Sequence, residues 1–374
     1  MSKPTLAVVS MDIRRDLILP MRDFSKFRLV HLYRNAPYGD MTPDEMDPSL
    51  VEFQTPCGLF RHLWKAKPDL VQGVEPFLFR LLPYQYAIFG YAVVRRIPLV
   101  LVTFENRPLS EKYGRMLARL QEWLLWPIFR YAKSVVALNK GAERNVSAVT
   151  SNANVTRLMY GTWGVDLDEF SPCGDIDEHM SDSDAENVIL FVGRIHREKG
   201  IFQLLQAFAR VRRRMPSTHL ILIGDGPKRS MIENLIAAED LQDCVTILGT
   251  IENRKLPPYF RGATVFVAPS ITTRRWEEQV GMTNIQAMAC GTPVVSTRSG
   301  AIPEYVPDGE AGILVPERDP VALADAILLL LTQDALRQRM GEYGRAYAVE
   351  HYDAGKNVRI AEEYLVDLLG STAS

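Results

Sequence analysis

Two cations, Arg194 and Lys199, stand five residues apart, with Gly193 before the first and Gly200 after the second. The apolar run before Gly193 predicts a strand and the residues after Gly200 predict a helix, so both cations would lie on one loop at the carboxyl edge of a sheet. Two cations on such a loop can bind a diphosphate, and glycines let the backbone come close to a ligand. On charge alone, a pair of solvated surface cations is an equally good interpretation.

A second segment, residues 276–295, combines polar side chains with a predicted helix start. The pattern predicts a helix from about Met282 to Ala289, and the free N–H groups at its Gly281 end would attract an anion. Glu278 stands just before this helix and Gln286 lies within it. We therefore expect both side chains to face one site.

The elements that must position these segments follow from the pattern of the whole chain. Short β-branched runs alternate with longer amphipathic segments, which is typical of βαβ units around a parallel sheet. Strands are predicted near residues 5–10, 28–32, 70–71, 99–103 and 134–138, and again near 188–192, 220–223, 245–248, 264–267, 294–296 and 312–315. A helix is predicted near 109–131, and another carries Ile201, Leu204, Leu205, Phe208 and Val211 on one face.

Residues 173–186 separate the two series of strands and hold six acidic residues. So few apolar residues cannot be buried well, which favours a linker. The chain is therefore predicted to form two doubly wound α/β domains, residues 1–172 and 187–350. In such a pair we expect a ligand in the cleft at the carboxyl ends of the strands.

Composition excludes several classes of protein. Apolar residues are 47% and charged residues 24% of the 374, as in a folded globular chain rather than a disordered or fibrous one. The net charge of −2 gives no general attraction to nucleic acid, which is not an expected partner. Four widely spaced cysteines, without a C-x-x-C pair, indicate neither a zinc site nor a disulfide framework.

Two features bear on location. The apolar run at the amino terminus is too short for a signal peptide, and residues 81–94 are too few to span a bilayer, so a cytoplasmic protein is expected. Residues 112–133 combine aliphatic and tryptophan side chains with arginines. Either this segment lies on anionic lipid at the inner face of the membrane, or it is a helix packed into the first domain.

The segment from Arg194 to Pro293 resembles the donor domain of the retaining GT-B glycosyltransferases of family 4. The resemblance rests on Arg194 and Lys199, on Glu278 at the first position of an E-x7-E motif, and on the run Ala-Met-Ala-Cys-Gly-Thr-Pro-Val-Val at 287–295. Shorter matches at 161–172, 222–227, 268–270 and 302–304 follow the family's order. The likeness is specific over about residues 160–345 and only topological over the first 150.

The resemblance implies the GT-B fold, with two facing Rossmann-like domains and a cleft between them. Residues 1–172 would form the acceptor side and 187–350 the donor-nucleotide side, and a C-terminal helix within 351–374 would cross back to the first domain. The implied reaction moves a sugar, with retention, from a nucleoside diphosphate to a hydroxyl of a saccharide or lipid-linked saccharide. Such transfer serves polysaccharide or glycoconjugate synthesis. Uridine is the expected base, with guanosine second.

The resemblance also implies roles for individual residues. Arg194 and Lys199 would neutralise the diphosphate, and Glu278 would hold hydroxyls of the donor sugar. Further donor contacts are implied for Gly193, for Ile251 beside the base, and for the amides of Gly281, Met282 and Thr283. No cofactor is implied. The D-x-D tripeptides at 166–168, 175–177 and 182–184 fall in a family turn and in the linker, so no metal is expected.

Three departures from the family pattern stand out. Gln286 replaces the second acid of E-x7-E, and its amide can still exchange hydrogen bonds with ribose hydroxyls. The loop at residues 11–16 lacks the usual glycines. Where many relatives have a histidine after the strand at 99–103, this chain has Glu105. Glu105 would accept the acceptor's proton or orient the sugar, or it is a strand-end acid paired with Arg107.

Other functions remain open. A nicotinamide-dependent dehydrogenase is disfavoured, because no G-x-G-x-x-G follows the first strand and residues 224–229 lack its third glycine. An epimerase or hydrolase of sugar nucleotides on the same fold would turn over the donor with no acceptor present. A non-catalytic protein that binds nucleotide sugars would bind the donor without any transfer.

Overall fold

The computed structural model describes residues 3–36, 41, 45–46, 48–181 and 186–370. The chain divides into two compact units, the first made of Met1–Trp163 with Ala354–Ser374 and the second of Gly164–Asp353. Each unit is built on one parallel sheet whose strands are connected mainly through helices. This is the α/β class that the alternating pattern predicts.

The sheet of the first unit has seven described strands in the order β3-β2-β1-β4-β5-β6-β7. They are Thr5–Asp12 (β1), Arg28–Asn35 (β2), Leu50–Glu52 (β3), Leu70–Gln72 (β4), Leu99–Thr103 (β5), Ser134–Ala137 (β6) and Val155–Arg157 (β7). Leu6 of β1 is in parallel register with Leu29 on one side and with Leu70 on the other. All five residues of β5 are buried, as expected for a central strand covered on both faces.

The sheet of the second unit has six described strands in the order β10-β9-β8-β11-β12-β13. They are Asn187–Val192 (β8), Thr218–Ile223 (β9), Val245–Gly249 (β10), Val265–Ala268 (β11), Val294–Thr297 (β12) and Gly312–Val315 (β13). The order in which strands are added to the sheet reverses at β8, since β9 lies on one side of it and β11 on the other. Such a switch point is where doubly wound sheets place ligands.

Helices connect most of the strands. Those before the second unit are Arg15–Ile18 (α1), Pro56–Ala66 (α2), Leu82–Arg95 (α3), Leu109–Tyr113 (α4), Arg115–Tyr131 (α5) and Lys140–Val149 (α6). Those of the second unit are Glu178–Ser181 (α7), Ile201–Arg214 (α8), Arg229–Ala238 (α9), Pro257–Gly262 (α10), Met282–Ala289 (α11), Ile302–Tyr305 (α12), Pro320–Thr332 (α13) and Asp334–His351 (α14). Ala354–Gly370 (α15) belongs to the first unit. Among the described residues, no helix is both long and apolar enough to cross a bilayer.

Most predicted elements are confirmed, and α8 shows why. Its apolar residues at three- and four-residue spacing, from Ile201 to Val211, are all buried against the second sheet. Two predictions need correction. The single helix over 109–131 is two helices, because Gly114 has φ of 87° and ψ of 155° and interrupts the helical backbone. The three-residue strands β3 and β7 lie at the two edges of the first sheet and were not predicted.

The boundary between the units lies ten residues before the predicted linker. The described part of that linker belongs to the second unit, where Arg261 Nε donates to the carbonyl oxygen of Asp175 at 2.8 Å and Met180 is buried. Residues 182–185 lie outside the described residues. At the two ends of the second unit, Val165 N donates to the carbonyl oxygen of Tyr352 at 2.8 Å.

The C-terminal helix α15 packs within the first unit. The carboxylate of Glu362 accepts hydrogen bonds from the Lys26 backbone N–H at 2.6 Å and from the Ser25 hydroxyl at 3.2 Å. The Tyr364 hydroxyl lies 2.9 Å from Thr156 Oγ1 at the edge strand β7, and Asn357 Nδ2 donates to the carbonyl oxygen of Trp163 at 2.7 Å. The helix lies within the predicted segment 351–374, whose first residue, His351, is the last of α14.

Candidate functional site

The loop after β8 brings Lys199 to the carboxyl edge of the second sheet. Arg197–Lys199 forms one turn of 3₁₀ helix that ends at Gly200, where φ is 69°. A Cβ atom at Gly200 would overlap the carbonyl oxygen of Pro269, which follows β11. Only glycine fits so close to another backbone in this conformation. The flanking glycine therefore fixes where Lys199 enters the site.

Lys199 and Glu278 form the centre of the site. Lys199 Nζ donates to Glu278 Oε2 at 2.6 Å, and Ser270 Oγ donates to the same oxygen at 2.7 Å. Lys199 Nζ also lies 4.8 Å from the centre of the Trp276 ring, within cation–π range. The structure thus joins the β8 loop, the end of β11 and the segment before α11 in one polar cluster.

Glu278 is held in its ionised form although most of its side chain is removed from solvent. Burial is the largest single influence and opposes ionisation. The positive charge of Lys199 and the hydrogen bonds from Lys199, Ser270 and the Gln279 backbone outweigh it, so the pKa of Glu278 lies below its usual value. The cluster is therefore a half-buried carboxylate and ammonium pair with an added hydroxyl donor.

Helix α11 begins next to this pair. Gly281 precedes its first residue with φ of 79°, and no described side chain caps the helix start. The backbone N–H groups of Met282 and Thr283 lie in this first turn, where the helix dipole favours an anion. Within the helix, Asn284 is buried and its Oδ1 has no hydrogen-bond partner among the described residues.

Arg194 has a different partner from Lys199. Its guanidinium donates to Glu198 Oε1 at 2.9 Å, and its side chain is 64% exposed. The two predicted cations thus lie on one loop, but each is paired with its own carboxylate. Because most of the Arg194 side chain is in solvent, it can change rotamer at little cost.

The other predicted donor contacts lie around the same edge of the second sheet. The Gly193 N–H extends the β8–β9 ladder by donating to the Ile223 carbonyl oxygen at 2.9 Å. Ile251 follows β10 and is partly exposed, and Gln286 is buried in α11. Gly193 follows β8, Ile251 follows β10 and Gln286 lies in α11. The three residues are thus far apart in the sequence.

Two residues of the cluster were not predicted to be functional. Ser270 lies in the 268–270 motif, which was recognised as a family match without a role. Trp276 begins the second segment and was not assigned to the site. The position of Ser270 just after β11, at the carboxyl edge of the sheet, is the signal that identifies it.

The first unit contains a separate cavity of about 260 Å³. It lies at the carboxyl ends of β1, β4 and β5 and is closed by residues 160–163. Among the described residues, two polar atoms in its wall lack a hydrogen-bond partner, Gln72 Oε1 and the Tyr160 hydroxyl. Buried polar groups are normally paired. The two atoms are themselves inaccessible to solvent, so they belong to the packed wall of the cavity.

Glu75 is a buried carboxyl group in the wall of this cavity. Its oxygens accept hydrogen bonds from Thr103 Oγ1 at 2.8 Å, from the Phe104 N–H at 2.9 Å and from the Phe77 N–H at 3.1 Å. Burial nevertheless dominates and raises the pKa of Glu75 to about 7, and the nearby charge of Glu105 adds to the rise. This carboxyl group is therefore poised to gain or lose a proton near neutral pH.

His31 lies in the same cavity wall. Its Nε2 is 2.8 Å from the Ser10 hydroxyl, and burial lowers the pKa of the imidazole to about 4. A neutral imidazole beside a hydroxyl can either donate or accept a hydrogen bond, depending on its tautomer. Arg14, from the glycine-free loop at 11–16, also lines the cavity and bonds Asp16 at 2.9 Å.

Glu105 is buried beside the cavity and does not line it. Its carboxylate forms an ion pair with Lys112 and accepts a hydrogen bond from the Arg107 N–H at 3.2 Å. The Arg107 guanidinium pairs with Glu111 at 2.7 Å. Glu105 thus has an ion-pair partner in Lys112, seven residues along the chain, in addition to its hydrogen bond from the Arg107 backbone.

The comparisons agree with this fold. The sucrose-phosphate synthase structure of Thermosynechococcus elongatus is similar over 99% of this chain and 100% of that chain, with a TM-score of 0.78 and 20% identity. Two parallel-sheet α/β units of this kind define a GT-B fold. The family model described as Glycosyl transferases group 1 matches residues 175–347. The chain belongs to this family.

Sequence relatives support the same assignment. A D-inositol 3-phosphate glycosyltransferase of Frankia alni is 35% identical over 304 residues, which cover 73% of this chain and 71% of the relative. Another of that name, from Corynebacterium jeikeium, is 35% identical over 199 residues, covering 50% of this chain and 46% of the relative. The chain thus spans between about half and about seven-tenths of the length of these relatives.

Proposed function

We propose that this protein is a retaining glycosyltransferase that moves a sugar from a nucleoside diphosphate to a hydroxyl acceptor. The observation that carries the proposal is the Lys199 and Glu278 pair beside the uncapped start of α11. A cation and helix N–H groups suit a diphosphate, and a neighbouring carboxylate suits sugar hydroxyls. Membership of the glycosyl transferase family supports the same reaction.

Lys199 would act on the leaving group. As the bond between the sugar and the diphosphate breaks, negative charge grows on the departing phosphate. A fixed cation stabilises that charge more in the transition state than in the ground state, and so speeds the reaction. Arg194 would move from Glu198 to the same diphosphate, because breaking an exposed ion pair costs little free energy.

Glu278 would position the donor sugar. Its Oε2 is occupied by Lys199 and Ser270, and the carboxylate keeps further capacity to accept hydrogen bonds from sugar hydroxyls. The amides of Gly281, Met282 and Thr283 would cover the phosphates. Gly193, Ile251 and Gln286 would complete the nucleoside contacts.

Retention would follow from attack on the same face as departure. The acceptor oxygen bonds to the anomeric carbon as the bond from that carbon to the phosphate oxygen breaks, and the acceptor's proton passes to that phosphate oxygen. An alternative uses Glu278 as a covalent nucleophile. Isolation of a glycosylated Glu278 would support the alternative, and a product of inverted configuration would contradict both.

The cavity of the first unit would bind the acceptor. Glu75 and the His31–Ser10 pair line this cavity and suit the hydroxyls of a saccharide. Glu75 is thus a better candidate than Glu105 for the acceptor hydroxyl, since Glu105 is committed to Lys112. We expect a saccharide or lipid-linked saccharide. The named activity of the two relatives makes inositol phosphate an acceptor to test as well.

The decisive experiment is a ligand panel on the full chain. Thermal shifts are measured with UDP, GDP, ADP and their sugars, since a ligand at a hundred times its Kd stabilises the folded state by about 2.7 kcal/mol. Uridine is the base that we expect to bind, with guanosine second. The stabilising donor is then incubated with acceptors, with and without EDTA, and the anomeric configuration of the product is read by NMR. We expect a retained product that EDTA does not affect.

Three results would contradict the proposal. If no nucleotide stabilises the protein, the proposed donor site is wrong. Turnover of the donor at the same rate without acceptor would indicate a hydrolase or an epimerase. Tight donor binding with no transfer to any acceptor would indicate a binding protein.

A further inference from the structure

One surface of the first unit presents large apolar side chains to solvent. On α5, these side chains are Met116, Leu117, Leu120, Trp123 and Trp126, with exposed fractions of 87%, 51%, 44%, 72% and 52%. They recur at three- and four-residue spacing, which places them along one side of the helix. The other side, including Ala118, Leu125 and Ile128, is buried. Helix α5 therefore packs into the core and also presents an apolar face outward.

Two neighbouring helices also expose large apolar side chains. The Tyr86 hydroxyl of α3 donates to the Leu124 carbonyl oxygen of α5 at 2.7 Å, and the Trp64 ring of α2 lies 6.0 Å from the Tyr91 ring of α3. Helix α3 exposes Val94 and α2 exposes Trp64. We call the five α5 residues, Val94 and Trp64 the outer apolar face. Apolar surface of this extent usually marks an interaction site.

The charges on these three helices are mostly positive. Six basic residues stand against one acidic residue, Glu122. The basic residues are Arg61, Lys65, Arg95, Arg115, Arg119 and Arg130. The whole chain is slightly acidic, with a net charge of −2, so this excess is local.

We propose that the outer apolar face binds the surface of a bilayer that contains anionic lipids. Tryptophan prefers the boundary between headgroups and acyl chains, because its ring is apolar and its N–H is polar. The arginines would contact lipid phosphates. A second copy of this chain is a poorer occupant, because two-fold pairing of this face would bring six cations toward six others.

The inference goes beyond the proposed function and does not depend on it. It unites the two interpretations of residues 112–133, a lipid-bound segment and a packed helix, because α5 packs into the core on one side and is exposed on the other. Its test measures lipid binding rather than transfer. A failure here would leave the donor panel unaffected.

The experiment is vesicle flotation with the full chain. One set of vesicles is phosphatidylcholine, and a second contains about one third phosphatidylglycerol. We expect binding to the anionic vesicles that weakens as salt is raised, because salt screens the arginines. The variant Trp123→Ser/Trp126→Ser should lower the partition coefficient about tenfold or more. Both side chains are largely exposed, so the variant should keep the wild-type circular dichroism spectrum.

Two further variants sharpen the test. Ile360→Ser removes an exposed apolar residue from α15 of the same unit and should leave partitioning unchanged. Arg115→Gln/Arg119→Gln/Arg130→Gln should weaken binding by about fivefold per charge at low salt.

Four outcomes would overturn the inference. They are no binding to either vesicle, equal binding to both compositions, unchanged binding by the tryptophan variant, and a dimer that this variant dissociates in the absence of lipid. The last outcome would assign the face to a second copy of the chain.

Discussion

Lys199 Nζ and Glu278 Oε2 lie 2.6 Å apart although 79 positions separate the two residues in the chain. The pair links the loop after β8 to the segment before α11, so one contact orders both sides of the candidate donor site. Each partner is costly to bury alone, because a charge left without its counterion loses its solvation. Removing either partner should therefore disturb the other.

Lys199→Ala should lower the rate of sugar transfer by a factor on the order of 10² to 10³, the usual cost of losing one stabilising group at a developing anion. Initial rates at saturating donor measure it. Arg214→Ala is the control, since Arg214 is exposed at the far end of α8 and pairs loosely with Asp325. Near-normal turnover by Lys199→Ala would refute the role given to Lys199.

Gln286→Glu should retain transfer, because a carboxylate accepts the same ribose hydrogen bonds as an amide. Gln286→Leu removes both donors and the acceptor, so the donor KM should rise about tenfold with a smaller change in kcat. Gln338→Leu, on the exposed side of α14, is the control. An unchanged KM in Gln286→Leu would show that this side chain does not contact the donor.

Glu75 should make the first unit less stable as pH rises. In the folded state its carboxyl group keeps its proton up to a pKa of about 7, whereas the ordinary value is 4.5. The folded state thus binds the extra proton between these values, and stability falls over that interval by roughly 3 kcal/mol. Glu75→Gln removes the fall, so the variant should gain stability relative to wild type from pH 4.5 to 7. Urea titrations at several pH values measure the difference.

His31 should show the opposite slope. Its folded pKa of about 4 lies below the ordinary value of 6.5, so the unfolded state binds more protons between these values and stability rises with pH. His31→Gln should therefore lose stability relative to wild type over that interval. The same urea titrations provide the comparison. As pH rises, stability relative to wild type should increase for Glu75→Gln and decrease for His31→Gln. A change in the same direction for both would contradict the environments assigned to Glu75 and His31.

Gly200→Ala should destabilise the second unit by more than about 2 kcal/mol. The residue has φ of 69°, and an added Cβ would meet the Pro269 carbonyl oxygen. Gly90→Ala is the matched change, since Gly90 lies inside α3 with no heavy atom within 4 Å of its added Cβ. It should stabilise by about 0.5 to 1 kcal/mol. Thermal unfolding of both variants tests the contrast.

Much of the fold was predictable because parallel strands buried on both faces leave continuous β-branched runs in the sequence. The edge strands β3 and β7 were not predicted because they are short and, unlike the equally short β4, have no buried residue. The break at Gly114 was not predicted either, since one glycine within an amphipathic run is compatible with an unbroken helix.

The residues of the site were easier to predict from the sequence than the contacts between their side chains. Arg194, Lys199 and Glu278 follow from motif and resemblance, but spacing does not tell which cation meets which carboxylate. Glu75 and Glu105 show the same limit. Both acids follow buried strands, and the tertiary contact with Lys112 turns one of them away from the cavity.

The second unit begins and ends at adjacent points, because Val165 and Tyr352 are joined by a backbone hydrogen bond. The first unit likewise has Trp163 and Asn357 in contact where its chain leaves and returns. Residues 164–353 can therefore be regarded as a segment inserted into the first unit. Its removal would leave two chain ends that a short peptide could join. Under the proposed function, exchange of this segment between relatives would combine the acceptor site of one protein with the donor site of another.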